Sequence, residues 1–392
     1  MVLVITFQVR LVDCEPEVNR SRTLYVPYMS VKQKGNSDNE SANASMSVRT
    51  GRECFRALSM PEAVTLASGV YRVRASVPSR SKATADMVQT DEAFWTIFSF
   101  HFLSGEAFTK ADCDAGLTRA VLDATTARRL FGTTDAVGHT VQLDYVDYTV
   151  AGVVADVSML ATAAYAQIWV PYTAAGAEAM SWQNDTMGPM HAIILARSSA
   201  DFDAIREETE LLRKKYNDGL QDVEVFYRGQ PDTQLAYLYR RWYAEPDVPG
   251  VMLRYAIVVI ILLLVPAVNL SGMTLSRMRR RMAEIGVRKA FGATGGELMR
   301  QVFFENLVLT LLAGIVGLAL SYVAAFALNG FLFSNSMNAS LSGETALTPG
   351  MLLSPWAFIA AFAFCLLMNI LSAGIPAWRA SRMNITDAIN QR

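Results

Sequence analysis

Two rhythms of hydrophobic and polar residues run along this chain, and the change between them falls near Gly250. Beyond that point three stretches are apolar over the length of a membrane span: Val251–Met273, Leu307–Leu328 and Trp356–Ile375. A helix that crosses a bilayer needs ~20 such residues, so each predicts a transmembrane helix. Pro266 and Asn269 interrupt the first near one end, and the proline reads as a tolerated kink. In the second, Ala313, Gly317 and Ser321 fall on one helical face. Small residues at that spacing let helix backbones approach closely; the alternative is that they face lipid. Trp356 and Trp378 stand where interfacial anchors belong.

Before Gly250 the pattern breaks into short pieces that predict a folded mixed α/β region. Val70, Val73, Ala75 and Val77 suggest a strand. Val121-Leu122 is a short strand candidate. Asp123 is placed to cap a helix that runs through Phe131 and stops at Gly132. Val141, Leu143 and Tyr145 alternate, as do Tyr148 and Val150, which predicts a hairpin turning near Val146-Asp147. Ile168–Val170, Ile193–Leu195 and Val223–Phe226 are further strand candidates. Phe202, Ile205, Leu212 and Tyr216 give a helix with one apolar face. Ser59 and Glu62 have the spacing of a capping box, with Gly69 as a stop, and predict a short helix. Lys32–Ser47 reads as a polar loop. Met1–Val12 is apolar but too short to span, and Gln8 and Arg10 interrupt it. It lacks the basic start and small-residue cleavage site of a complete signal peptide.

Charge gives the apolar stretches a direction. Between the first two lies Ser276–Gln301, in which Arg277, Arg279, Arg280, Arg281, Arg288, Lys289 and Arg300 face only Glu284 and Glu297. Short loops rich in Lys and Arg stay on the cytoplasmic side. Between the second and third, Phe331–Pro355 carries no Lys or Arg and one acid, Glu344, which fits the outside. The basic segment also has internal order. Glu284 and Arg288 form a favourable helical pair with the acid first. Ala283, Val287, Ala290 and Phe291 fall on another face. Gly292 is a natural stop, and Thr294 with Glu297 makes a capping box for the next helix. A plain positive-inside loop is the alternative, but it needs neither the amphipathic helix nor the glycine turn.

The overall net charge of −1 argues against nucleic acid as a partner. Cys14, Cys54, Cys113 and Cys365 have no metal-ligand spacing; a Cys54–Cys113 bond and isolated thiols are both open. His101, His139 and His191 stand apart, so no metal is expected. The P-loop pattern G-x-x-x-x-G-K-[ST] does not occur in the sequence, nor does H-E-x-x-H. No arrangement for nucleophilic catalysis can be argued.

The run Glu284-Ile285-Gly286-Val287-Arg288-Lys289-Ala290-Phe291-Gly292-Ala293, then Gln301, Phe304 and Glu305, resembles the signature of FtsX-like/MacB-like ABC transporter permeases. Pro376–Arg382 followed by Asp387-Ala388 is similar to the closing motif of that family. More loosely, Val121–Asp123, Ala127–Gly132, Ala136–Gly138 and the hairpin ending Val150–Val154 resemble the MacB-type extracytoplasmic core. The resemblance implies an α-helical membrane protein with three complete transmembrane helices, a truncated first one, and a large extracytoplasmic mixed α/β domain. The expected order is a remnant of the first helix at 1–12, the core domain at 13–250 and a span at 251–275. A cytoplasmic loop with a coupling helix follows at 276–302, then a span at 303–330 and an extracytoplasmic loop at 331–354. A last span at 355–377 and a cytoplasmic tail at 378–392 complete it. Residues 284–293 would dock on a separate ABC ATP-binding subunit, and Ala313, Gly317 and Ser321 would pack helices. No cofactor is expected on this chain, with ATP and Mg on the partner, and no catalysis of its own. A second copy and a membrane-fusion or outer-membrane export protein are the further partners implied. The site would be the bacterial inner membrane. The function implied is export of peptides, antibiotics or lipoproteins, driven by motion of the outer domain; the alternative is a signalling subunit that controls an extracytoplasmic hydrolase or senses a ligand.

Overall fold

The computed structural model describes residues 13–38, 40–78, 81–241, 244–262 and 294–328, with positions 264, 287, 291, 292, 359, 362–364, 366 and 367. The expectations for Met1–Val12, most of the basic segment and the loop 331–354 lie outside these residues. The described chain falls into two compact units that divide between Val248 and Pro249.

The N-terminal unit holds fourteen strands among the described residues. A four-stranded antiparallel sheet has the order β14 (Asp232–Thr233), β1 (Thr23–Val26), β12 (Met190–Leu195) and β4 (Ala63–Ser68). A three-stranded sheet joins β13 (Val223–Phe226), β2 (Met29–Gln33) and β3 (Ala42–Ala44). Both share one core, in which Leu24, Val31, Phe55, Leu66 and Ile194 meet the apolar face of the helix Phe202–Gly219. That face is the one carrying Ile205 and Tyr216.

The third sheet has seven strands: β7 (Phe102–Gly105), β10 (Val146–Val154), β8 (Arg119–Asp123), β11 (Ile168–Pro171), β6 (Ser81–Thr90), β5 (Tyr71–Val77) and β9 (Thr140–Leu143). β9 pairs with β5 on one side and with the first half of β10 on the other, so six strands close into a ring. β8 and β10 run parallel, joined through the helix Ala124–Phe131 and β9. The ring has its own core, with Val73, Ala75, Leu122, Val141, Leu143 and Ile168. Leu130 and Phe131 of the helix join it. The start of that helix is as its sequence indicates: the Asp123 carboxylate accepts from the Thr126 N–H at 2.7 Å. Gly132 ends it at φ +79°, a conformation that carries no penalty without a Cβ.

Two expectations are corrected. The hairpin turns at Asp144-Tyr145, both at positive φ, with Val146 already opposite Leu143. Tyr145 is the exposed tip, and Val146 resumes the ladder rather than turning it. No helix lies between Ser59 and Gly69, because Ala63–Ser68 is β4. The Ser59 N–H and hydroxyl both donate to Glu208, and Glu62 pairs with Arg22, so neither closes a capping box. β4 is covered on both faces, which removes the alternation that marks a half-buried strand. Lys32–Ser47 is also less irregular than expected, since it contains β3 and the end of β2.

In the C-terminal unit, a helix runs over 248–262 and another over Gly295–Ala327. Large apolar side chains stand exposed on both, among them Leu253, Ile260, Ile261, Leu309, Leu312, Val316 and Leu320. Among the described residues no helix is long and apolar enough to cross a membrane; the side chains at 298, 299, 301–303, 306, 310, 322, 325 and 326 are outside that description.

Candidate functional site

Of the segment 284–293, the structure describes Val287, Phe291 and Gly292; Glu284, Ile285, Gly286, Arg288, Lys289, Ala290 and Ala293 lie outside the described residues. The Phe291 N–H donates to the Val287 carbonyl at 3.1 Å, the i to i−4 bond of an α-helix. Both side chains point into the open, Phe291 at 89% exposure. Gly292 follows at φ +94°. Thr294 and Glu297 then cap the next helix reciprocally: the Glu297 N–H donates to Thr294 Oγ1 at 3.3 Å, and the Thr294 N–H to the Glu297 carboxylate at 3.0 Å. These bonds hold the Glu297 carboxyl below its ordinary pKa. The result is a turn of helix bearing two exposed apolar side chains, a glycine turn, and a firmly capped helix start.

On Gly295–Ala327 the small residues separate by role. The Ser321 hydroxyl donates to the Gly317 carbonyl at 2.7 Å, within its own helix. A Cβ placed on Gly317 would meet nothing within 4 Å, and Ala313 is exposed. The close contact falls one position over: a Cβ on Gly314 would sit 3.5 Å from the Phe362 ring. The sequence pattern of three small residues carries no sign of that contact, because Phe362 comes from a distant stretch.

The N-terminal unit contains the chain's other distinctive chemistry. Cys14, Cys54 and Cys113 are buried free thiols, so Cys54 and Cys113 do not pair. Burial pushes their pKa values up to about 12, 11 and 12 respectively, which keeps them protonated and unreactive. No group of acids, histidines and cysteines among the described residues could hold a metal ion. His191 lies on β12 with Nε2 at 2.8 Å from the Ser45 hydroxyl, and the Tyr28 ring meets it edge-on at 6.2 Å. Desolvation pushes its pKa down to about 4. Beside it is a cavity of about 290 Å³ that also draws on Tyr25, Met159, Thr162, Tyr165 and Tyr237. Sequence reasoning had no means of assembling these residues, which come from four separate parts of the chain.

The His191 shift sets a pH dependence. The unfolded chain takes up the imidazole proton near the ordinary value of 6.5, the folded chain only near 4, so folding is penalised as pH falls through that window. Asp91 and Asp123, each raised by burial to about 6, act in the opposite sense between their folded value and 3.8. Comparison with a variant isolates the histidine. The stability deficit of His191→Gln against the parent chain, read from denaturation midpoints, should shrink between pH 7 and pH 4 by up to about 3 kcal/mol. A deficit constant with pH would mean that His191 charges freely in the fold.

Residues 16–212 match the family model of the MacB-like periplasmic core domain, and residues 256–385 that of the FtsX-like permease C-terminal region. Over 314 residues the chain is 26% identical to the macrolide export ATP-binding/permease protein MacB of Escherichia coli strain K12, covering 78% of this chain and 43% of the relative. The protein of the same name in Chromobacterium violaceum is 25% identical over 307 residues, with the same coverage. The chain therefore spans less than half the length of these curated relatives. Among solved structures it is similar to the periplasmic region of MacB from Actinobacillus actinomycetemcomitans, with 18% identity, a TM-score of 0.37, and coverage of 52% of this chain and 90% of that one. It is also similar to the extracellular domain of the noncanonic ABC-type transporter YknZ from Gram-positive bacteria, with 16% identity, a TM-score of 0.36, and coverage of 51% and 99%.

Proposed function

This chain belongs to the FtsX-like/MacB-like family of ABC transporter permeases, and on that premise we propose that it is the membrane subunit of an ABC system whose ATPase is a separate chain. The ATPase, with its ATP and Mg, pushes on residues 284–293. Spans at 251–275, 303–330 and 355–377 carry the motion to the N-terminal domain on the outer side of the inner membrane. The work done there is export of peptides, antibiotics or lipoproteins, with a membrane-fusion or outer-membrane export protein as a further partner.

The observation that carries this reading is the exposed pair Val287 and Phe291 beside the Gly292 turn. Two exposed apolar side chains on a basic segment fit a surface that a partner covers. The exposed apolar side chains of 248–262 and Gly295–Ala327 support spans in the same way, since helices apolar on all sides belong in a core or a bilayer. Co-purification of the chain with candidate ABC ATPases from the same cell, followed by hydrolysis measurements with candidate substrates, tests the assignment. Failure of every such ATPase to bind would overturn it.

Topology offers a separate check. In a background without other cysteines, Ser276→Cys should be shielded from an impermeant thiol reagent in intact cells, and Ser340→Cys should label. The reverse pattern would invert the orientation.

We also propose that two copies pair through Ala313, Gly317 and Ser321. The space around Gly317 is open in the single chain, so Gly317→Leu meets no clash within it. Leucine there should nevertheless weaken pairing by about tenfold or more, some 1.4 kcal/mol, because two backbones could no longer approach. Native mass measurement in lipid reads this directly; an unchanged dimer would place the contact elsewhere.

A further inference from the structure

The cavity beside His191 has a chemistry of its own. Its walls come from the end of β1 with Pro27, from β4 and the following Gly69-Val70, from Val88 on β6, from β12, from the loop 159–165, and from Tyr237. It thus lies where the antiparallel sheet meets the ring of strands, the kind of seam at which small-molecule sites concentrate. No Asp, Glu, Lys or Arg is among the residues that line it. Two acids stand behind the wall: Asp86 accepts from the hydroxyl of Tyr165, itself a lining residue, at 2.8 Å, and Glu17 binds Arg20 and two backbone amides.

The lining is mostly apolar, with Val26, Val70, Val88, Met159 and Ile193. Its aromatic part is fixed, since Tyr237 stacks on Tyr25 with ring centroids 4.5 Å apart and planes at 14°. Tyr25 is buried, whereas Tyr237 and His191 keep part of their surface open. Ser68, Thr162 and His191 place a few polar atoms around this surface. Burial keeps both phenols protonated and His191 neutral. A volume of about 290 Å³ is at the lower limit of ligand pockets and too small for a macrocycle.

We infer that this cavity is a binding site for a small neutral molecule with one or two rings and one or two hydrogen-bonding groups. A flat ring lies against the tyrosine stack, where aromatic contacts add to apolar burial. Its hydroxyl or amide bonds to the polar atoms that neighbour His191. An anionic ligand is rejected, because it finds no Lys or Arg in the lining and loses its water. The site is independent of the ATPase and of the direction of transport, so its failure would leave the permease reading standing.

The test uses the full chain in lipid nanodiscs, with Met159→Cys as a reporter inside the cavity and Cys365→Ser to remove the one cysteine outside the described residues. Cys14, Cys54 and Cys113 are buried and stay unreactive toward a methanethiosulfonate. The probes are 2-naphthol and, as its charged counterpart, 2-naphthoate. At saturation 2-naphthol should slow modification of the reporter about tenfold or more, while 2-naphthoate binds roughly 100-fold more weakly, about 2.7 kcal/mol. Ala163→Trp, which fills the cavity, should abolish protection by 2-naphthol; continued silence of Cys54 shows that the domain remains folded. If Ala163→Trp exposes Cys54, Val70→Trp fills the site from its other side and takes its place. No protection by 2-naphthol, equal protection by 2-naphthoate, or protection that survives a folded Trp variant would each overturn the site.

Discussion

Glu17→Ala should destabilise the N-terminal domain by about 3–5 kcal/mol, the usual result of leaving one member of a buried ion pair alone. Glu17 and Arg20 are almost wholly buried, with side-chain exposures of 1% each. One carboxylate oxygen accepts from Arg20 Nε at 2.7 Å. The other accepts from the backbone N–H groups of Ala163 and Ala164 at 2.7 and 3.0 Å. The guanidinium also donates to the Leu160 carbonyl. Removing the carboxylate therefore strands a charge and two amides at once, and each unsatisfied amide costs a further ~1–3 kcal/mol unless water enters. Domains are stable by only about 5–15 kcal/mol, so the loss is a large share of the total. Trp169, fully buried with Nε1 donating to the Ala164 carbonyl at 3.2 Å, is a fluorescent reporter beside the damage. Glu17→Leu combined with Arg20→Met should recover only the part due to the stranded charge, since an apolar pair leaves no ion behind but still leaves the Ala163 and Ala164 amides without an acceptor. An unchanged unfolding midpoint for Glu17→Ala, with amide protection retained at Ala163 and Ala164, would show that the pair is not buried in solution.

The same pair shows where sequence reading stops. Glu17 and Arg20 are one helical turn apart and look like an ordinary surface pair; only the loop 160–164, brought in from far along the chain, makes them a core feature. Elements whose signal is local were legible. Asp123 and Gly132 bracket a helix by capping chemistry that needs no tertiary context, and the single apolar face of Phe202–Gly219 was written in its spacing. Thr294 and Glu297 form their reciprocal bonds for the same reason. Ser59, Glu62 and Gly69 carried an equally good local signal and gave a false helix, because Glu208 and Arg22 outcompete the cap and both faces of β4 are buried. The hairpin was found but its turn was misplaced, since the exposed Tyr145 continued the apolar alternation beyond the strand. β1, β2 and β6 went unread because buried strands in a two-core domain show no clean period. The cavity was illegible altogether, being a property of the seam between sheets.

The family assignment, by contrast, came from a short run of sequence, and its mechanical consequence can be put to the sharpest test. Gly286→Trp should leave the abundance of this chain in the membrane unchanged and lower recovery of the ATPase about tenfold or more, at least 1.4 kcal/mol of binding. Gly286 stands one residue before Val287, and Val287 lies one turn ahead of the exposed Phe291, in the segment that Gly292 ends at φ +94°. A glycine inside a helix costs ~1 kcal/mol relative to alanine, and a surface without a side chain is what a partner needs to come close. If the ATPase docks on this segment, an indole at that position would hold it away from the exposed Val287 and Phe291. Gly286→Ala adds one methyl group and favours the helix, so it should bind the ATPase more nearly like the parent chain; that contrast separates crowding from unfolding. Glu284→Lys should act with Gly286→Trp, by removing the acid of the pair that the spacing to Arg288 predicts and adding positive charge to a basic segment. Quantifying ATPase and permease together from the same membranes reads both outcomes. If Gly286→Trp recovers the ATPase as well as the parent chain does, residues 284–293 are a positive-inside loop, and the docking role falls with them.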